Sequence, residues 1–462
     1  MKTPYTDDLR PYDPVKLVEQ LNPCNPPVVV FRANDLCSLG IARSALAVDV
    51  PVIWVHYTWP GAPDWGSVYS EAWKNTYEIV NPADDADLAV GQLTALGAEL
   101  IKTFKRKILI LPSSDTVQNF LFDNELLLFH YFDVYGDPTF ASYRREVTSK
   151  AQFFEFLTTR LPQFCPKTRF CDEHTSADEM VQHFDLPFII KPSNKDPAQT
   201  FYRLNSGRKA IVINCVDDMR KALKLGVDNG IPLIAQELVP FDSVYHEVPF
   251  YCFFDKNQSL RIAASGIKRI IRPEKYGTAI ALELAYDNRL LEAVKLVGSE
   301  LKWRGPLMIE FIYDSRRKKW LIIEVNTRPW LFHDFFRRFG LPFISSAILD
   351  HRDHYSGQGH LERFLEGKAL LTPHKKYKKV KAVHLDITAI IDFLGERLGQ
   401  KQMVSQDLIS FIQSQGDNLT YANGYPADPL PLLKAIEAGA KKHRFNATPV
   451  IESIMGSSCD WK

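Results

Sequence analysis

The sequence carries no excess of charge of either sign: 56 Lys and Arg stand against 55 Asp and Glu, a formal net charge of +1. That removes the electrostatic case for a polyanion or a charged lipid surface, so neither nucleic acid nor membrane is an expected partner. No apolar run approaches the roughly 20 residues needed to cross a bilayer. The opening MKTPYTDDLRPYDP lacks the apolar stretch of a secretory signal. A cytoplasmic location is expected. The seven cysteines are scattered and none sits in a CxxC; Cys165 and Cys171 are the nearest pair. They are expected to be reduced thiols, not a metal or disulfide framework. There is no GxxxxGK[ST], no GxGxxG and no GxSxG, which argues against a P-loop enzyme, a nicotinamide-binding enzyme and a serine hydrolase. No internal repeat or long low-complexity stretch is present.

What is present is ordinary globular material. Hydrophobic residues make up 45% and charged residues 24% of 462 positions, room for roughly two to four domains. Residues 1–27 are Pro-rich and polar, an expected extended lead-in. PPVVVFRANDLCSLGIARSALAVDVPVIWVHY gives strand, loop, helix, strand, with the continuous apolar strands of a parallel sheet. KRKILILPSSDTVQNFL repeats the pattern, with Asp115 in its polar loop. Residues 28–136 are therefore expected to form a small doubly wound α/β domain. Beyond it, SKAQFFEFLTTRL predicts an amphipathic helix behind a Thr148/Ser149 cap, LPFIIKPS a strand ending in Lys191, and IPLIAQELVPFDS a strand running into a hinge. EVPFYCFFDKNQSLRIAASGIKRI predicts a hairpin turning at 255–258.

The chemistry concentrates in LMIEFIYDSRRKKWLIIEVNTRPW. Two strand-like runs flank a charged turn. With the turn centred on Arg317, Glu310 falls opposite Glu324, with Cβ atoms about 4.5–5.5 Å apart. Ile312 and Ile322 are then expected beside the carboxylates, and Ile309, Phe311, Ile323 and Val325 on the other face. Two adjacent, half-dehydrated carboxylates repel, so either one protonates or a cation sits between them. Asn326 shares their face because the strand period is two. Two carboxylates and an amide oxygen make a hard-cation set suited to Mg²⁺, which takes the rest of its shell from phosphate and water. Arg328 has the fork geometry for a phosphate.

This string resembles the metal-binding signature of the ATP-grasp superfamily. Glu-x-Asn-Thr-Arg is similar to that of biotin carboxylase, while the following Arg-Pro-Trp and His333 look closer to the carboxylate–amine ligase branch that includes D-aspartate ligase. The order of elements agrees over roughly residues 28–350: Lys150 at a helix start, Lys191-Pro192 at a strand end, the Gln236-Glu237 hinge, Lys268-Arg269, then the carboxylate pair. The resemblance implies an α/β and α+β multidomain fold. It comprises a pre-ATP-grasp domain (28–136), an ATP-grasp domain of two α+β subdomains (137–352) holding nucleotide between 150–240 and 241–352, and a helical C-terminal extension (353–462).

It also implies roles. Lys150 and Lys191 would hold nucleotide phosphates. Gln236, Glu237, Leu238 and Val239 would meet adenine, and Asp242, with Glu247 second, the ribose. Glu310, Glu324 and Asn326 would bind one or two Mg²⁺, with Mn²⁺ an open substitute. Arg328 would steady the transferred phosphate, and Lys268 and Arg272 an anionic substrate or acyl phosphate. The implied activity is ATP-dependent amide formation between a small carboxylate and an amine through an acyl phosphate; a homodimer is common among look-alikes. A kinase that stops at phosphorylation and a nucleotide-binding regulatory module remain open beside it. One departure stands out. Lys191 is followed by PSNKDPAQTFYRLNSGRKA, with Gly207 its one glycine, where many relatives carry a glycine-rich loop. Three other stretches carry less. HRDHYSGQGH (His351, Asp353, His354, His360) fits no zinc template and predicts a polar surface loop. HKKYKKVKAVH predicts a solvated linker. Asp428 in GYPADPLPLL is expected in a structural turn, with a substrate site as the other reading. The loop from Asn34 to Gly40, at a helix start, is open between a plain connection and an anion site.

Overall fold

The structure is a computed structural model. It describes residues 13–135 apart from 34, 58–68 and 71; 149–273 apart from 195–197, 241–242 and 244–245; 277–366 apart from 286–287; and 382–457 apart from 399–401, 417, 423 and 425–427.

The N-terminal unit is a five-stranded sheet in the order β3-β2-β1-β4-β5. It is built from β1 (Val28–Phe31), β2 (Val52–His56), β3 (Asn75–Glu78), β4 (Ile108–Pro112) and β5 (Phe132–Asp133). Its ladders are parallel. The chain moves outward from β1 in both directions, so the switch point lies between β1 and β4, where ligands of open α/β sheets bind. Helix α2 (Asp35–Leu46) and, after α3 (Ala86–Phe104), helix α4 (Asp115–Asp123) start at that edge. Ser113 ties it together: its Oγ accepts from Ala33 N–H at 2.7 Å and donates to Phe31 O at 3.0 Å. The expected extended lead-in is corrected in part. Pro14–Glu19 is helical (α1), because Asp13 caps Val15 N–H, Pro14 occupies the first turn, and Leu17 and Val18 bury against the sheet's helices.

Two further sheets follow. The smaller has the order β6-β9-β7-β8, from β6 (Thr168–Cys171), β7 (Phe188–Pro192), β8 (Ile211–Ile213) and β9 (Leu233–Glu237). The larger runs β14-β13-β10-β11-β12-β15-β16, from β10 (Glu247–Phe254), β11 (Leu260–Arg272), β12 (Thr278–Ala285), β13 (Gly305–Asp314), β14 (Lys319–Asn326), β15 (Ala382–Leu385) and β16 (Asn418–Tyr421). One face of it carries Phe250, Cys252, Ile309, Phe311 and Val325, buried with Val294 and Val297 of the helix Leu291–Leu301. The C-terminal part is helical, as expected, with helices Ile387–Leu398, Ser405–Ser414, Leu430–His443 and Ala447–Ser457. It is also more than an appendage: β15 pairs with β12 and β16 with β15, so it completes the large sheet.

HRDHYSGQGH is not a surface loop. Its first residues finish the helix Phe343–Ser356, which ends at Gly357 in the left-handed region. His351 is buried against Asp133 at 2.9 Å, and Asp353 caps the next helix through His360 and Leu361 N–H. Asp428 ties Arg43 (2.7 Å) and Ser70 (2.5 Å) in a buried cluster joining the C-terminal part to the N-terminal unit. The basic stretch 374–381 lies outside the described residues.

Candidate active site

Strand β13 pairs with β14, and Glu310 sits opposite Glu324, with Asn326 opposite Met308. The register expected from the charged turn therefore holds at the carboxylates. It changes one step later, where Phe311 lies opposite Ile322. The extra residue is Ile323, a β-bulge. Ile322 consequently packs on the helix-covered face with Phe311, whereas Ile323 packs with Val239, Ile312 and Leu321. The expected faces of Ile322 and Ile323 are thus exchanged, because one inserted residue inverts the alternation of the period-two strand.

Each cation arrives by a separate local device. Ser149 caps the helix Lys150–Arg160, and Lys150 N–H donates to Ser193 O at 2.8 Å, which fastens the helix start to the end of β7. Lys150 and Lys191 thereby enter the same space, and Lys150 Nζ lies 3.9 Å from Glu324. Lys191 Nζ donates to Gln236 Oε1 at 2.8 Å and to Ile323 O at 3.4 Å, the carbonyl of the bulged residue. It also stands 4.8 Å from the Phe154 ring centre. Burial, reinforced by the Lys150 charge, pushes the Lys191 ammonium down to about 7 against the pull of Glu324 and Glu310. Lys268 Nζ bridges Glu310 (2.9 Å) and Glu247 (2.5 Å). Burial works against its charge, but the two carboxylates outweigh it and hold Lys268 above the ordinary lysine range. Arg328 donates to Asp115 Oδ2 at 2.7 Å. Burial opposes this charge also, and Asp115 overcomes it, so the guanidinium stays firmly protonated.

The hinge is held from outside. Glu237 accepts from Arg317 at 2.8 Å and from Lys167 N–H at 2.8 Å, and Leu238 O accepts from Arg316 at 3.5 Å. The two arginines are themselves anchored by the buried Asp314. Val239 joins the small apolar cluster with Ile312 and Leu321. Asp242 lies outside the described residues. Arg272 is placed away from the carboxylate pair, on Glu396 and 3.7 Å from Asp392 of the C-terminal helices. The acids of that interface draw it there, and it does not line the cavity.

A cavity of about 320 Å³ adjoins part of this set; among the described residues, Lys191 and the segment 236–239 are not in its walls. Among its walls are Lys150, Lys268, Glu310, Glu324, Asn326 and Arg328. The N-terminal unit adds Ser113, Ser114, Asp115 and Thr116 from the start of α4 and Cys37 from α2. The cavity is therefore at the switch point of the N-terminal sheet. The segment after β14 is stapled there: Thr327 pairs with Gln118 (3.1 and 3.4 Å), Arg328 with Asp115, and Cys37 Sγ donates to Pro329 O at 3.3 Å. The glycine-poor stretch after Lys191 forms a helix (Ala198–Leu204) and contributes Tyr202 and Lys209 to the cavity. Burial and the nearby Glu324 charge push the Tyr202 hydroxyl up to about 12. Ser193, whose N–H goes to Pro232 O, has no backbone donor left for an anion.

Tyr202, Lys209 and Tyr251 carry no expectation above, and Trp330 enters only as part of the Arg-Pro-Trp string. The α4 start carried a signal, since a Ser-Asp pair at the end of the strand next to β1 marks a switch-point helix. The others carried none, because their placement depends on how separate elements pack.

Among the described residues no three His, Cys, Asp and Glu side chains cluster as a cage. Two opposed carboxylates and an amide, with lysines leaning on both acids, fit a cation that shares its shell with a ligand.

No family model matches the sequence, and no curated protein matches it. Solved structures do. N5-carboxyaminoimidazole synthetase from Staphylococcus aureus, complexed with ADP, superimposes over 70% of this chain and 76% of that one, with a TM-score of 0.53 and 15% identity. The biotin carboxylase domain dimer of Hydrogenobacter thermophilus 2-oxoglutarate carboxylase, in complex with MgADP, ADP and bicarbonate, does so over 69% and 68%, with 0.51 and 15%. Biotin carboxylase of Campylobacter jejuni, as its β-γ-ATP complex, covers 70% of each chain with 0.50 and 15%. At such identity the likeness speaks for the fold, and the fold of this chain is the ATP-grasp fold.

Proposed function

We propose that the chain is an ATP-dependent ligase that activates a small carboxylate by phosphorylation and passes the acyl group to an amine. The observation that carries this reading is the Glu310–Glu324 pair with Asn326 beside it, facing one cavity with Lys150, Lys268 and Arg328. Nucleotide and metal are brought in from the structural neighbours, whose crystal structures are complexes with ADP, MgADP or β-γ-ATP. Glu310, Glu324 and Asn326 would hold Mg²⁺, which neutralises phosphate charge and orients the terminal phosphoryl group.

The remaining work falls to side chains. Lys191 and Lys150 offset phosphate charge, and the Val239, Ile312, Leu321 and Ile323 cluster offers an apolar slot for a base at the hinge. Arg328, oriented by Asp115, faces the phosphoryl group as it moves. Lys268, neutralised by two acids, positions Glu310 more than it attracts an anion. No protein nucleophile is required: phosphoryl transfer to a carboxylate is a matter of positioning and charge neutralisation. A homodimer of the kind named for one neighbour belongs to the same proposal.

The test is ADP release with Mg-ATP, pooled carboxylates and pooled amines, followed by mass spectrometry. A new mass equal to acid plus amine minus water, formed only when both pools are present, is expected. One compound gaining a stable phosphate would make the chain a kinase.

A further inference from the structure

The face of the large sheet that carries the carboxylates is divided along β13. Position 312 is apolar, beside Leu321 and Val239. Position 310 is charged, between Glu324 on one side and, through β10, Lys268 on the other. Position 308 is apolar again: Met308 lies between Tyr251 of β10 and Asn326 of β14. Successive positions on one face are about 7 Å apart. A nucleotide with its base at the 312 end and its phosphates at the 310 step leaves the 308 end for the molecule that accepts the phosphoryl group.

That end is a packed aromatic floor. Tyr251 lies 4.9 Å from Trp330 and 4.5 Å from Phe336, and Trp330 meets Phe343 edge-on at 5.2 Å. Tyr251, Met308, Ala279, Trp330 and Phe332 are all buried and all line the cavity. Charge at this end is already committed. Lys268 is held by Glu247 and Glu310, and Arg328 by Asp115. Lys209 makes no ion pair among the described residues, but it comes from the segment after β7, with Tyr202, whose hydroxyl feels both Glu324 and Lys209. A substrate with a second carboxylate or an ammonium group would bring that charge onto rings that offer it the unpartnered Trp330 indole N–H and no full counter-charge, a costly burial. A flat apolar body would be well covered.

Resting on the ligase reading, we propose that the activated acid is a monocarboxylate with a flat or branched apolar body, seated on Tyr251, Met308 and Trp330, and not an amino acid or a diacid. In the first step a carboxylate oxygen attacks the γ-phosphorus, the bond to the β-γ bridging oxygen breaks, and ADP leaves. In the second the amine nitrogen attacks the acyl carbon, the carbon–oxygen bond to phosphate breaks, phosphate departs, and the nitrogen loses its extra proton to solvent. Hydroxylamine replaces the unknown amine and yields a hydroxamate.

The experiment measures hydroxamate formation with Mg-ATP, hydroxylamine and each of benzoate, phenylacetate, isovalerate, succinate, aspartate and glutamate, alongside calorimetric titration of MgATP. The apolar acids should react at least tenfold faster than the other three. Ala279→Leu, which fills the seat, should lower the rate with phenylacetate at least tenfold while MgADP affinity stays at the wild-type value. Equal or faster reaction of aspartate, glutamate or succinate overturns the inference and leaves the ligase reading standing. MgATP bound with no hydroxamate from any acid overturns the ligase reading, and the inference with it. No MgATP binding removes the nucleotide site itself.

Discussion

Lys191 combines burial, a neighbouring lysine and two carboxylates a little further off, and its ammonium titrates near 7. A phosphate placed beside it favours the charged form, so nucleotide binding raises that pKa and takes up a proton above pH 7. Affinity for MgADP should therefore fall as the pH rises from about 7 to about 9. Calorimetry at about pH 8 in two buffers of different ionisation enthalpy should show net proton uptake; proton release would contradict the assignment. Arg328 makes a second case. Its guanidinium is aimed by Asp115 from another part of the chain. Asp115→Asn keeps the shape and removes the counter-charge, so turnover should drop roughly ten- to a hundredfold, with a smaller change in the KM for ATP. A purely structural role for Asp115 would show instead as a lowered Tm with turnover per folded molecule unchanged.

The decisive element is the β13–β14 hairpin. Its register was legible because the carboxylates, the charged turn and the strand period all agree, and Glu310 and Glu324 do face each other. The bulge at Ile323 was not legible: apolar residues occupy both faces there, so an inserted residue leaves no mark in the hydrophobic pattern. The helix at Pro14–Glu19 was hidden for another reason, since two buried residues and one cap form too short a pattern to outweigh the prolines around them. Close packing behind the hairpin's sheet is equally invisible in sequence. A Cβ on Gly298 would meet the Phe254 ring at 2.2 Å, so the helix Leu291–Leu301 approaches the sheet only because that residue is glycine. Gly298→Ala should destabilise the protein by about 1–3 kcal/mol, read from the midpoint of urea unfolding; an unchanged midpoint would mean the helix can move off the strand at no cost.

At the scale of the whole molecule the site belongs to three parts of the chain at once. The N-terminal sheet supplies the α4 start, the smaller sheet Lys191 and the hinge, and the larger sheet the carboxylates. Buried polar ties hold the N-terminal unit to the larger-sheet half: Tyr135 to Ala347 O at 2.5 Å, His351 to Asp133, and Arg43 to Asp428. The Arg304–Asp350 pair, with side-chain exposures of 5% and 1%, is such a tie within the larger half. Arg304→Ala leaves Asp350 buried without its counter-charge, held by the Lys256 N–H at 3.0 Å, and should cost about 3–5 kcal/mol in urea unfolding. Arg272 shows why the layout was only partly legible. The family resemblance implies a substrate contact for it, but Glu396 and Asp392, more than a hundred residues on, take the guanidinium. Sequence spacing ranks neighbours within a strand; it does not register what a distant helix brings to the strand's end.

The measurement that bears most directly on the account is calorimetric titration of ADP, with and without Mg²⁺, into the wild-type protein and Glu324→Gln. Wild-type protein should bind ADP at least tenfold more tightly with Mg²⁺ present, and the variant should lose that gain while keeping its fold. Equal Mg²⁺ dependence in the two proteins, or no ADP binding by the wild type, would contradict the placing of a metal–nucleotide site on the hairpin.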